Sequence, residues 1–444
     1  MARSAKSGNP RNLVPNGTFE RGRIGQLPDS WELKSPYEFL KPSFKLARRG
    51  GRRALLAAGA GNANCAGWIQ TPLEVRGGKT YRMRVSFEMT PDVNPHRHLL
   101  FALYGEGFNN GVFRYRRAGK GKAVGEGRFL VPGKGRIAAT ARIYFHLSAE
   151  GKVWVREIAL EECDPIPPRW VRVACTKGAG DLKKWAKVLD AAGRAKADLA
   201  LLPETFKSEH KPEPTNGPSA QLMASKARQY GMVVSGTFQH KDPKAGLVFN
   251  SAMLYDRKGR RIGRYDKNHP YSPEWLHEGV SPGNEVEVFQ TDFGKVGIII
   301  CYDSWFTDVT ELLALKGAEI VLFPNAGYCR GLMPARAADN CVRFAVSSLG
   351  TEIGVWDTSG AEVAAPDADP TRCAGPEKTF RNVKTKMVDD VKILFADLDF
   401  SKSPSPHNWG GPMLSAPGGR RNRREQNRLL YREIEREVER WWED

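Results

Sequence analysis

The sequence predicts two domains of different class: an all-β sandwich of about 150 residues, then a larger α/β layered domain. Three observations carry this. Up to residue 164 short stretches alternate apolar and polar residues, separated by Gly, Pro and Asn clusters, with no long helical period. Pro165-Ile166-Pro167-Pro168 then interrupts the chain, and proline restricts both itself and the residue before it, so this reads as a stiff linker. Beyond it, apolar strands alternate with amphipathic helices, the signature of an α/β domain.

The β region spans residues 12–164, after a polar, basic N-terminus (1–11) that reads as disordered. Tyr81 to Met89, Ile143 to Leu147 and Val153 to Ile158 alternate as half-buried strands do. The opening Asn12-Leu13-Val14-Pro15-Asn16-Gly17-Thr18-Phe19-Glu20, followed by Leu27-Pro28-Asp29-Ser30-Trp31, resembles the start of carbohydrate-binding-module-like jelly rolls of the galactose-binding type. The resemblance implies an accessory sandwich that takes a glycan.

The α/β region spans residues 169–417. In order, the pattern predicts a strand at 170–175, a helix at 181–197 and a strand from Leu199 that ends in Glu204. A helix at 219–230 and strands at 232–237, 250–256 and 261–265 follow. Then come a strand over 296–301, a helix at 308–316, a strand at 319–324 and a helix over 333–345. The tail, 418–444, opens with arginines and repeats Leu430, Ile434, Val438 and Trp441 at helical spacing, so it reads as a basic amphipathic helix.

Charge and composition narrow the function classes. The net charge is +18, and residues 1–165 hold 28 Lys and Arg against 14 Asp and Glu, so most of the surplus lies in the β region. Such a domain attracts polyanions, although basic composition serves solubility equally well, and no nucleic-acid-binding motif accompanies it. The mean hydropathy of −0.48 and the lack of an 18-residue apolar run predict no membrane span. No secretory h-region is seen, so a cytoplasmic location is expected. Seven cysteines without a CxxC pair argue against a disulfide framework or a zinc site, and neither metal nor cofactor is expected.

The chemistry-bearing residues stand at strand ends. Gly297 to Ile300 is apolar and delivers Cys301 to the carboxyl edge of a sheet, where α/β sites form. On this local pattern alone a buried structural cysteine is the plainer reading. Leu201-Leu202-Pro203-Glu204 places a carboxylate, and Tyr265-Asp266-Lys267-Asn268-His269-Pro270 a lysine, at two further strand ends. Singly, each is an ordinary solvated charge.

Taken together in the order Glu, Lys, Cys, these segments resemble the nitrilase superfamily of carbon–nitrogen hydrolases. The likeness runs from residue 169 to about 399. Ser281-Pro282-Gly283, Gly294-Lys295-Val296-Gly297, Cys301-Tyr302-Asp303, Leu315-Lys316-Gly317-Ala318-Glu319, Asn325 and Arg336-Ala337-Ala338-Asp339-Asn340 add to it. It implies a four-layer α-β-β-α sandwich, built into dimers or larger homo-oligomers, and a cofactor-free hydrolase of amides or N-carbamoyl compounds. It casts Cys301 as the nucleophile, Glu204 as the general base, and Lys267, with the backbone N–H of Tyr302, as the oxyanion stabiliser. A second glutamate is Glu274, with Glu278 as the competitor. Trp275, Trp305, Asn325 and Tyr328 are candidate substrate contacts, although aromatic core packing explains the rings as well. His269 and His277 read as hydrogen-bonded loop residues. Thr307 stands where the superfamily usually has proline, which puts the local pocket shape in doubt. The same catalytic set also serves acyl transfer, and a glycan- or polyanion-binding protein is the reading from another class.

Overall fold

The computed structural model describes residues 12–402, apart from 113–114, 208–210 and 367–378. The segments 1–11 and 418–444, read above as a disordered start and an amphipathic helix, lie outside the described residues. The chain divides into two compact units between Pro167 and Pro168.

The first unit is made of two antiparallel sheets. One runs Glu32–Lys34, Ala66–Arg76, Arg136–His146, Leu99–Gly105, Phe108–Val112. The other runs Ser43–Arg49, Arg52–Ala58, Lys152–Cys163, Thr80–Met89, Lys122–Leu130, Tyr115–Gly119. Strand alternation decides which residues enter the core. Ile143 and Phe145 are fully buried while Arg142 and Tyr144, which alternate with them, are not, and Met83, Val85 and Phe87 enter from the second sheet. The Phe87 and Phe101 rings stack across the two sheets at 5.6 Å, within a single apolar cluster.

The second unit is mostly β, of α/β type. Strands Arg261–Asp266, Val248–Tyr255, Val233–Lys241, Leu199–Leu201 and Trp170–Lys177 pair in that order; Leu199–Leu201 is parallel to both of its neighbours. At Trp170–Lys177 the sheet forks. Its whole length pairs antiparallel with Val391–Asp399, while only the Lys177–Ser348 pair links it to Arg343–Ser348 and on to Ile320–Asn325, Lys295–Ile298 and Phe289–Gln290. Val173, Cys175 and Leu201 of one branch share a core with Ile298, Leu322 and Val346 of the other. The opposite face of the first branch, through Ala174, Ala200 and Phe395, packs against Trp185 and Leu189 of the helix Leu182–Arg194 and Met223 of the helix Pro218–Tyr230. Asp181 caps the first of these helices by accepting from the Lys184 N–H at 2.8 Å, which satisfies one otherwise orphaned donor.

Three expectations need correction. The helix anticipated over 333–345 is Leu332–Asn340; Cys341 turns left-handed at φ 49°, and Arg343–Ser348 is a strand buried at every position. A strand covered on both faces loses its period of two, so its apolar run read as continued helix. The strands anticipated to end in Glu204 and Cys301 stop at Leu201 and Ile298, and both residues lie in turns beyond the ladders.

Candidate active site

Glu204 enters from the turn after Leu199–Leu201, with Thr205 behind it in the left-handed region at φ 41°. Lys267 follows directly on Arg261–Asp266. Its N–H donates to the Asn250 carbonyl at 2.9 Å, and its own carbonyl accepts from the Gly283 N–H at 2.8 Å. Gly283 is required there, because a Cβ would stand 2.3 Å from the Asp266 carbonyl oxygen.

These anchors bring the ammonium of Lys267, 1% exposed, between two carboxylates. Nζ lies 2.8 Å from Glu204 Oε1 and 2.5 Å from Glu274 Oε2. Asn250 ties the same two together, its Nδ2 donating at 2.8 Å to Glu204 Oε1 and at 2.8 Å to Glu274 Oε1. The remaining Glu204 oxygen accepts from the Ala326 N–H at 2.9 Å. Glu274 is held at the start of the helix Ser272–His277, where Oε2 also accepts from the Tyr271 N–H at 2.7 Å. Burial works against the Lys267 charge, but Glu204, Cys301 and Glu274 outweigh it, so its pKa is raised and the ammonium is retained.

Cys301 opens the 3-10 turn Cys301–Trp305. Its φ of 44° is unusual for a residue with a Cβ, a strain of roughly 1–3 kcal/mol that the surrounding bonds must offset. Asp303 supplies them. Its Oδ2 accepts from the Ile300 N–H at 2.9 Å and the Tyr265 hydroxyl at 2.7 Å, and its Oδ1 from the His269 N–H at 2.9 Å. The strand leading in approaches the helix Asp308–Leu315 closely at Gly297, where a Cβ would lie 2.9 Å from the Leu313 side chain. Cys301 Sγ is half-buried and 3.5 Å from the Gly327 carbonyl. Burial pushes the thiol up to about 12 and the Glu204 carboxylate adds to the rise, with Lys267 partly opposing. At neutral pH the group is therefore a thiol, and it needs a base at the moment of attack.

Glu204 and Glu274 are thus both bonded to Lys267, and Cys301 is electrostatically coupled to Glu204 and Lys267. Glu278 is turned elsewhere and accepts from Gln239 Nε2 at 2.5 Å. Tyr302 follows Cys301 in the turn, its ring edge-on to Tyr271 at 5.4 Å. Trp275 and Trp305 are 55% and 53% exposed. Asn325 is fully buried with Nδ2 donating to the Ser347 carbonyl at 2.8 Å, so its side chain braces the backbone beside Ala326. Tyr328 donates to the Glu352 carbonyl at 3.0 Å and packs on Phe323. His269 is bonded to Asp303, and His277 closes its short helix. Sequence reading missed Asn250 and the Ala326 N–H. A polar residue inside the apolar strand Val248–Tyr255 was the available signal for the first; a backbone donor leaves none. Among the described residues no group of three or more His, Cys, Asp or Glu is placed to hold a metal ion, and no helix is long and apolar enough to cross a membrane.

Comparison with known proteins places the chain in a class. The carbon–nitrogen hydrolase family matches residues 171–375. A protein described as a hydrolase in the pqqF 5' region of Pseudomonas protegens is 31% identical over 254 residues, covering 53% of this chain and 85% of its own length. The chain belongs to the carbon–nitrogen hydrolase family. N-carbamoylputrescine amidase of Solanum lycopersicum is 27% identical over 278 residues, 54% of this chain and 88% of that protein. Omega-amidase NIT2-B of Xenopus laevis is 28% identical over 190 residues, 38% and 68% respectively. Among solved structures, Saccharomyces cerevisiae Nit3, a member of branch 10 of the nitrilase superfamily, aligns with a TM-score of 0.43 and 24% identity over 52% of this chain and 90% of that one.

Proposed function

We propose that this enzyme hydrolyses a linear amide or N-carbamoyl compound through a thioester on Cys301. The observation that carries the reading is the cluster of buried Glu204 and Lys267 with half-buried Glu274, clamped by Asn250 and coupled to a protonated thiol. Glu204 takes the Cys301 proton as Sγ bonds to the carbonyl carbon. The oxyanion forms against the Lys267 ammonium and the Tyr302 N–H, fixed positive charge placed where transition-state charge develops. The tetrahedral species collapses, the carbon–nitrogen bond breaks, and Glu204 returns its proton to the departing nitrogen. Water then attacks the thioester with Glu204 again as base, releasing the acid and restoring the thiol. Glu274 holds Lys267 in place and orients the incoming amide.

The forked sheet, with helices against its first branch, supports an α-β-β-α arrangement for this unit. Residues 12–164 would then be an accessory sandwich without catalytic residues, and homo-oligomers are the expected state. The test is a screen of purified protein against amides, N-carbamoyl amines and nitriles, with release of ammonia or amine as readout. Turnover of amides or N-carbamoyl amines is expected. Exclusive turnover of nitriles, or release only when an amine acceptor replaces water, would overturn the reading in favour of nitrile hydrolysis or acyl transfer.

A further inference from the structure

We infer that Tyr265 is a positioning residue for the nucleophile: its hydroxyl, acting through Asp303, holds Cys301 in register with Lys267. The inference rests on the catalytic reading above and adds a residue to it. Tyr265 lies two positions before Lys267, on the strand Arg261–Asp266, and is 2% exposed within the core shared by the two branches of the sheet. Its hydroxyl donates to Asp303 Oδ2 at 2.7 Å and accepts from the N–H of Asn268, the residue after Lys267, at 3.4 Å. The same Oδ2 accepts at 2.9 Å from the N–H of Ile300, the residue before Cys301. One oxygen therefore joins the backbone leading into the nucleophile to a side chain on the strand that delivers the lysine. Asp303 Oδ1 repeats the arrangement beyond the lysine, accepting from the His269 N–H at 2.9 Å. Lys267 is thus bracketed: the residues two before and two after it both donate to the carboxylate that fixes the Cys301 turn.

The hydroxyl is what needs a reason. Tyr265 is the one tyrosine among the buried residues described in that core, whose other large rings are Phe and Trp. A phenylalanine would fill the same space, and a buried hydroxyl costs free energy unless it is bonded. Burial, with the charge of Asp303 adding to it, holds the phenol well above its ordinary pKa, so the group stays a donor. Asp303 is itself fully buried, so solvent does not replace a donor lost from Oδ2. What the bond restrains is strained backbone, since Cys301 sits at φ 44°, outside the regions that a residue with a Cβ prefers. Without Tyr265 the carboxylate holds Ile300 less firmly, and the turn relaxes toward an ordinary φ. That moves Sγ relative to Glu204 and Lys267, the two charged groups that act on the thiol. A displacement of about 1 Å between reacting groups costs up to about 100-fold in rate.

Tyr265→Phe in the full chain tests this, with Asp303→Asn and the double variant completing a cycle. For Tyr265→Phe, kcat on an amide is expected to fall about tenfold or more, with KM within about twofold of wild type. Iodoacetamide, followed by mass spectrometry, should label Cys301 several-fold more slowly, while half-buried Cys329 and Cys341 are labelled at the wild-type rate. A loosened fold would instead speed labelling at all three. Because Tyr265 acts through Asp303, the double variant should label Cys301 no more slowly than Asp303→Asn alone. The single variant decides by itself if Asp303→Asn does not fold. Wild-type labelling of Cys301 in Tyr265→Phe, faster labelling of all three cysteines, or multiplicative effects in the cycle would each overturn the proposal. Labelling needs no substrate: if wild type hydrolyses no amide, the reading of the reaction fails, and the labelling rates still decide the role of Tyr265.

Discussion

His269 and Asp303 are joined twice: the backbone N–H of His269 and its ring Nδ1 reach the same carboxylate oxygen, at 2.9 and 3.0 Å. The other ring nitrogen faces Asp308 at 3.4 Å, and the ring stacks on Phe306 at 4.1 Å. The segment that carries Lys267 is thereby tied to the turn that carries Cys301. Hydrogen bonds to Asp303 and then Asp308 raise the His269 pKa to about 9, with burial opposing. Because the folded value lies above the ordinary 6.5, this imidazolium contributes stability that is complete below about pH 6.5 and lost as pH rises through 9. Thermal midpoints of wild type and His269→Gln should therefore differ most near pH 6 and converge above pH 9. A constant difference across that range would show that the charge is irrelevant.

Cys301→Ala should abolish turnover while leaving the thermal midpoint close to wild type, since it removes a single sulfur atom from a half-buried side chain. Acid-quenched wild type should carry the substrate acyl group on Cys301 by mass spectrometry. An adduct elsewhere, or activity in the variant, would remove Cys301 as nucleophile.

Glu204→Gln keeps the shape but removes the base, and turnover should fall by a factor of order 10² or more. Lys267→Ala should cost roughly 3 kcal/mol of transition-state stabilisation. It should also lower the thermal midpoint, because buried Glu204 and half-buried Glu274 are left without their shared cation. EDTA should leave the rate unchanged.

Asn250→Ala removes one donor from each carboxylate. Hydrogen bonds to charged groups contribute about 1.5–3 kcal/mol, so kcat should fall by roughly 10- to 100-fold. A positioning role predicts that KM changes less than kcat and that the pH–rate profile shifts, whereas mere loss of folded protein would lower the rate at constant shape of the profile.

A chain beginning at Pro168 keeps two apolar clusters built from Val171 onward. It should fold and hydrolyse small substrates at a rate similar to the full chain. A folded but inactive product would assign the first unit a part in catalysis.

Local pattern made much of this legible. The helix near 181–197 and the strands leading toward Glu204 and Cys301 could be read locally, but Glu204, Lys267 and Cys301 stood out only through the order in which they resemble a known superfamily. The overrun of the helix into Arg343–Ser348 shows the limit: once both faces of a strand are buried, an apolar run no longer records which backbone conformation it adopts. Glu274 and Glu278 could not be separated by spacing, since both lie within a turn or so of the same short helix. Only the direction of its first turn aims Glu274 at Lys267 and leaves Glu278 with Gln239.

By itself the sequence determined the change from a β region to an α/β region at the proline run, the strands that end near Glu204, Lys267 and Cys301, and the kinship those segments carry. The tertiary structure decided which charges meet. The Asn250 clamp spans 46 residues to Glu204, and the Ala326 N–H that holds the second Glu204 oxygen lies 122 residues away. Such contacts depend on where separate strand ends converge in space, and local propensity holds no record of that convergence.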